Sequence, residues 1–179
     1  MTASAPRVPA GTLGREDAGK AVLVKGWVHR RRDHGDLVFI DLRDRSGLLQ
    51  IVFDAEFLPE PGLLARAKEL RGEFVLAVTG KVVLRDEAAR NAEMPTGEIE
   101  LRATALEVLN RAETPPFQIE DGVKASEDLR LKYRYLDLRR PEMTSNLVKR
   151  SDVTFRIRQV LHEEGFLEVE TPILTKSTP

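Results

Sequence analysis

Cysteine is absent from this chain of 179 residues, which excludes disulfide staples, thiolate metal sites and a cysteine nucleophile. An excess of one charge is lacking too. The 28 Lys and Arg residues against 29 Asp and Glu leave a formal net charge of -1, so there is no global pull toward nucleic acid, and such a function has to rest on local clusters. No apolar run approaches the length of a membrane span, and the N-terminus lacks the apolar centre of a secretory signal. The expected compartment is therefore the cytoplasm, with no membrane partner. The three histidines, His29, His34 and His162, do not stand at metal-ligand spacing, and neither a GxSxG nucleophile turn nor a Gly-rich phosphate loop occurs, so no metal site and no catalytic residue is expected within this chain. What is present is 41% hydrophobic residues, enough to fill one whole domain and part of another.

The densest information lies between Gly26 and Phe53, GWVHRRRDHGDLVFIDLRDRSGLLQIVF. Side chains on a strand alternate between faces, so Val38, Ile40 and Leu42 share one face while Leu37, Phe39 and Asp41 take the other. After the turn signal Asp44-Arg45-Ser46-Gly47, Leu49, Ile51 and Phe53 form the apolar set, and Gln50 and Val52 point the opposite way. Phe39 and Gln50 are thus expected on an open face. Ahead of them Val22, Val24 and Val28 alternate with Leu23, Lys25 and Trp27, and Gly26 in the core-facing register marks a bulge or bend. Arg30, Arg31 and Arg32 fall at the hairpin that follows this first strand, with Arg43 and Arg45 nearby.

Pro61 to Leu70 carries Leu63, Leu64, Ala67 and Leu70 at the spacing of one helical face, stopped by Gly72. Two further strands are predicted over Glu73–Leu84 and Glu98–Leu109, separated by a charged loop, Arg85–Gly97, long enough to be functional. The order β-β-β-α-β-β predicts a mainly β domain, the five-stranded OB barrel, whose usual ligand surface is the face of strands two and three with the flanking loops. Residues 1–109 form that domain. A linker or hinge covers 110–140, with Pro115-Pro116 and an N-cap signal at Ser126-Glu127-Asp128 before a short helix; Leu129, Leu131, Tyr133 and Tyr135 also fit a two-residue period. Pro141 opens a longer helix through Met143, Leu147, Ile157 and Leu161, closed by Gly165, and Phe166–Leu174 reads as a strand. Residues 141–179 cannot bury these apolar faces by themselves.

On the open face, Phe39 is placed to stack an unpaired base, and its alternative is cover by another segment of the chain. Gln50 has the paired donor and acceptor that read a base edge, Arg32 has a planar fork for base or phosphate, and Glu100, alternating outward from Ile99 and Leu101, is suited to a base donor. For Gln50 a solvated surface glutamine is the plain alternative, for Glu100 a position off the site, and for the arginine cluster a solvated hairpin tip.

GWVHRRRDHGDLVFIDLRDRSGLLQIVF, Thr96–Glu100 (TGEIE), Leu131–Met143 (LKYRYLDLRRPEM) and Gly165–Pro179 (GFLEVETPILTKSTP) together resemble the N-terminal region of a bacterial-type aspartyl-tRNA synthetase. The last segment resembles motif 1 of the class II synthetases, here Gly165, Phe166, Val169, Pro172, Ile173 and Leu174. The resemblance implies that the barrel binds the anticodon of the aspartate tRNA. In that family the residues matching Arg32, Phe39 and Gln50 hold the central uracil, and the residue matching Glu100 recognises the first anticodon base. It also implies that motif 1, with Gly165, Phe166 and Pro172, builds a homodimer interface at the start of an α+β catalytic domain. The parent enzyme would use ATP and Mg2+, neither held by this segment. Motifs 2 and 3 are absent, so this chain by itself is expected to be inactive. The position of His34 is leucine in some members selective for the aspartate tRNA and histidine in some that also charge the asparagine tRNA, a hint toward both partners. The alternatives left open are a freestanding OB module for single-stranded nucleic acid and an asparaginyl-tRNA synthetase-like protein.

Overall fold

A computed structural model describes residues 5–60, 62–174 and 176–177. The chain divides into two compact units, Met1–Pro115 and Pro116–Pro179. In the first, β1 (Ala21–Asp33), β2 (Leu37–Asp44) and β3 (Gly47–Asp54) precede α1 (Gly62–Lys68), and β4 (Val75–Leu84) and β5 (Ile99–Asn110) complete the set. They close into a barrel in the order β1-β2-β3-β5-β4, with β4 paired back onto β1. Every pair is antiparallel except β3 with β5, where Ile51 lies opposite Leu101 and Val52 opposite Arg102. This is the OB barrel the element order predicts.

The alternating apolar sets fill it. Val24, Val28, Val38, Ile40, Leu42, Leu49, Ile51, Phe53, Leu76, Val78 and Leu101 are all completely buried, and burying each such side chain contributes about 1.5 to 3 kcal/mol relative to leaving it in water. α1 adds Leu63 and Ala67, both fully buried, at the four-residue spacing that places two side chains on one helical face. Pro61, the expected first residue of this helix, lies outside the described residues.

Gly26 does sit in the inward register, but the bulge is elsewhere. A Cβ on Gly26 would come within 2.4 Å of the Arg43 carbonyl oxygen, so the glycine serves close approach of β2. The irregularity falls between Val28 and Arg30, leaving His29 as the extra residue. It is stitched from the far side: Val28 N donates to Phe74 O at 2.9 Å, and Glu73 N donates to Val28 O at 2.8 Å, with Glu73 itself in the left-handed region at φ 64°. Arg43 then bridges the bulge, contacting His29 Nδ1 at 3.1 Å and donating to both Glu73 carboxylate oxygens at 2.9 and 2.8 Å. Burial, reinforced by the Arg43 guanidinium, holds the His29 pKa below its ordinary 6.5. The arginines expected at a hairpin tip are part of β1, and the turn itself is shorter, with His34 N donating to Leu37 O and Gly35 in positive φ.

In the second unit, α2 (Glu127–Lys132), α3 (Arg134–Asp137) and α4 (Pro141–Glu163) follow an irregular lead-in. The helical reading of the ambiguous Leu129–Tyr135 stretch wins because Ser126 Oγ accepts from Leu129 N at 3.3 Å, starting α2, whose Leu129 packs with Leu136 of α3 and with Phe117, Ile119 and Tyr133. Asp137 is fully buried. Burial alone would raise its pKa, but a hydrogen bond from Arg140 Nε at 2.7 Å and the further guanidiniums of Arg134 and Arg130 lower it overall. α4 begins at Pro141 and ends in a Schellman turn: Gly165, at φ 85°, donates to His162 O, and Phe166 donates to Leu161 O. No residue of α4 is buried. The strand expected over Phe166–Leu174 does not form; the segment is irregular, with Leu167, Ile173 and Leu174 at least 86% exposed, because a strand needs a neighbour to complete its backbone hydrogen bonds. Among the described residues no helix is long and apolar enough to cross a membrane.

Candidate nucleic-acid interface

The bulge at His29 determines what the outer face of the barrel carries. Counting in twos from Val28 would turn Arg30 and Arg32 inward; the extra residue reverses that parity, so Arg30 pairs with Asp41 and Arg32 with Phe39. Directly opposed residues of an antiparallel pair share a face, and Arg32, Phe39 and Asp41 therefore lie together on the outside. The guanidinium of Arg32 stands 5.8 Å from the centre of the Phe39 ring, within cation–π range. His34 meets the same ring edge-on at 5.7 Å. Phe39 itself is half-buried. Among the described residues the N-terminal segment runs elsewhere: Ala10 N and Gly11 N donate to Asp44, at the opposite end of β2, and to Ser46 in the turn after it.

Beside the ring lies a polar network drawn from four strands and a loop. Arg32 Nη2 donates to Asp41 Oδ1 at 2.7 Å and to Gln50 Oε1 at 3.1 Å. Gln50 Nε2 donates to Glu100 Oε2 at 3.0 Å, and Arg85 Nη2 donates to Gln50 Oε1 at 3.3 Å. Arg85 Nε lies 3.9 Å from Glu100 Oε2, too long for a hydrogen bond, and is a buried donor without one. Two guanidiniums and two carboxylates balance in charge, so the cluster can be held partly desolvated without a buried net charge.

Arg32, Phe39, Gln50 and Glu100 are thus brought to one place, although 68 residues of sequence separate the first from the last. The closing pair β3–β5 and the hairpin of β4 and β5, which sets Val83 opposite Glu100, bring the glutamate to Gln50. Loop 85–97 is folded tightly, with Thr96 Oγ1 donating to Leu48 O at 2.6 Å and Asn91 N to Gly97 O at 3.1 Å. Gln50 differs from expectation in one respect: it faces the outer side but is only 4% exposed, as is Val52. Its acceptor is occupied by two arginines and one of its donors by Glu100, so its amide orientation is set before any ligand arrives. Two members of the network, Asp41 and Arg85, were not singled out from the sequence. Asp41 had a signal, two residues from Phe39 on the same face; Arg85 had none, since its reach to Gln50 depends on barrel closure. Gly165, Phe166 and Pro172 belong to the second unit, where Gly165 ends α4 and Phe166 is 65% exposed. Thr175, Thr178 and Pro179 of the motif 1-like segment lie outside the described residues.

A fixed hydrogen-bonding cluster beside a partly open ring, on the outer face of an OB barrel, is suited to an unpaired base. Family profiles agree with that chemistry: one described as OB-fold nucleic acid binding domain matches residues 22–109, and one described as tRNA synthetases class II (D, K and N) matches 126–179. The aspartate–tRNA(Asp/Asn) ligase of Heliobacterium modesticaldum is 56% identical over 94% of this chain, and the aspartate–tRNA ligase of Streptococcus suis is 54% identical over 95%. The chain is similar to the N-terminal part of aspartate–tRNA ligases. It spans 28% of the length of the first of these relatives and 29% of the second. Among solved structures, the aspartyl-tRNA synthetase of Entamoeba histolytica superposes with a TM-score of 0.86 at 22% identity, covering 97% of this chain and 40% of that one, a likeness of fold. The asparaginyl-tRNA synthetase of Pyrococcus horikoshii gives 0.78 at 29% identity, covering 94% and 38%.

Proposed function

We propose that residues 1–109 recognise the anticodon of the aspartate tRNA, that 110–140 form a hinge, and that 141–179 begin the catalytic domain of a class II aspartate–tRNA ligase. The observation that carries this reading is the joining of Arg32, Gln50, Arg85 and Glu100 into one hydrogen-bonded cluster beside Phe39, in a chain whose relatives are aspartate–tRNA ligases. Phe39 stacks the central anticodon base; Arg32 and Gln50 meet its edge, with Asp41 and Arg85 fixing their orientation; Glu100 accepts from the first anticodon base. The parent enzyme activates aspartate with ATP and Mg2+ in parts of the protein other than these residues, acts in the cytoplasm, and dimerises through the segment containing Gly165, Phe166 and Pro172. The bare apolar side of α4 supports that last assignment.

The test is binding of this chain to an aspartate tRNA transcript. Phe39→Ala should weaken it by about 1 to 3 kcal/mol, the worth of one base–aromatic stack, and a scrambled anticodon should weaken the wild type by a similar amount. Equal affinity in all three measurements would reject anticodon reading in favour of a sequence-blind OB module. His34, packed on the Phe39 edge, is assigned to the choice between aspartate and asparagine tRNAs, because several relatives, including that of Moorella thermoacetica, are named for both. Aminoacylation of both tRNAs by the complete enzyme, with and without His34→Leu, measures that choice.

A further inference from the structure

The first unit has a second concavity, of about 710 Å3, bounded by the end of β1, by α1 and by the chain just after β5. Its lining carries five cationic side chains and one carboxylate, Glu69. Two of the cations are already engaged: Arg31 donates to Lys68 O at 2.7 Å and pairs with Asp33, and Arg66 pairs with Glu60 at 2.8 Å. Lys68, Arg71 and Arg111 are exposed and have no side-chain hydrogen bond or ion pair among the described residues. In a chain of net charge -1, three unpaired cations gathered in one hollow are a local concentration of charge that composition does not require, and their mutual repulsion is relieved by a polyanion.

We propose that this groove holds the phosphodiester backbone of the RNA whose bases meet Phe39, a reading that rests on the anticodon assignment above. The strand itself links the two surfaces. Arg31 and Arg32 are consecutive on β1; the parity set by the His29 bulge turns Arg32 to the Phe39 face and Arg31 to the α1 side, so an RNA strand that meets both surfaces crosses the end of β1 between them. The floor argues for phosphate and against bases. Its one aromatic, Phe74, is only 8% exposed and presents no ring for stacking, and the remaining apolar floor is Leu70, Val108 and Ala112. Lysine and arginine heads over an aliphatic floor neutralise a backbone without reading sequence.

The experiment compares this chain with the triple variant Lys68→Gln, Arg71→Gln, Arg111→Gln, using an aspartate tRNA transcript across a range of salt concentrations. Each lost phosphate contact lowers the slope of log affinity against log salt by about 0.7 to 0.9, so the triple variant should lose about 2 to 2.7 in slope and at least about tenfold in affinity at low salt. The loss should be the same for transcripts with native and scrambled anticodons, and the charge-keeping triple Lys68→Arg, Arg71→Lys, Arg111→Lys should restore the slope. An unchanged slope overturns the proposal, as does a triple variant that keeps RNA affinity but loses binding to polyglutamate, which would assign the groove to an acidic protein segment. Phe39→Ala separates the two readings. If it binds like wild type while the triple variant is weakened, base stacking fails and the groove stands; the reverse leaves anticodon reading intact and removes the groove.

Discussion

The two units treat their apolar residues in opposite ways. In the barrel, residues at two-residue spacing from five strands converge on one interior, and closure of β4 onto β1 gives every strand two neighbours. In the second unit, a 23-residue helix keeps Val153, Phe155, Ile157 and Val160 more than half exposed, and the small cluster around Phe117, Ile119 and Leu136 lies in the irregular lead-in and the short helices that precede it. Local sequence is equally decisive in both, with caps, proline and glycine placed where each element starts and stops. Regular secondary structure therefore does not by itself make a core. The barrel is stable through its own closure, whereas α4 presents a surface that only a further structure can cover.

Core truncation should give the largest difference between the units. Leu101→Ala, at a fully buried position in β5, should cost about 2 to 5 kcal/mol in urea unfolding, while Phe155→Ala, 67% exposed on α4, should stay within about 0.5 kcal/mol. A comparable loss for Phe155→Ala would mean that its ring is buried in solution and would end the contrast. Next in size, Ser126→Ala removes the cap that accepts from Leu129 N and should cost about 1 kcal/mol, seen as faster amide exchange in α2 with the barrel amides unchanged. Exchange accelerating equally in the barrel strands would show that the two units unfold as one. The smallest effect is in pH. The His29 pKa is lowered below 6.5, so the unfolded chain binds the proton more readily, and barrel stability should be complete above that value and decline as pH falls through it toward the depressed one. Asp137 is also lowered, from 3.8, so its contribution to the second unit persists until more acidic pH and is lost only below that value. His29→Gln should flatten the first slope alone; an unaltered slope would show that another group causes it.

Much of the site was legible in the sequence because strand alternation is local. Phe39, Gln50 and Glu100 each step out of an apolar alternation that a reader can count, and the element order identifies the barrel that makes such a face useful. What was not legible has a common physical origin in pairing between distant segments. Gln50 was expected to be open to a ligand, yet Arg32, Arg85 and Glu100 close around its amide. Arg85 looked like one charge among several in a loop. The strand expected over Phe166–Leu174 had the right composition and no neighbour to complete it.

By itself the sequence determined the strands and their inward faces, the helix ends at Ser126, Pro141 and Gly165, and the aromatic at the centre of the outer face, because each depends on residues within a few positions of one another. The tertiary structure alone decided two things. One is the parity shift at His29, held by Glu73, Phe74 and Arg43 from elsewhere in the chain, which turns Arg32 toward Phe39 and Arg31 toward the second groove. The other is the parallel closure of β3 on β5, which lets residues 50 positions apart share one hydrogen bond. Both are long-range pairings, and a periodicity counted along one strand carries no information about the strand that stops or shifts it.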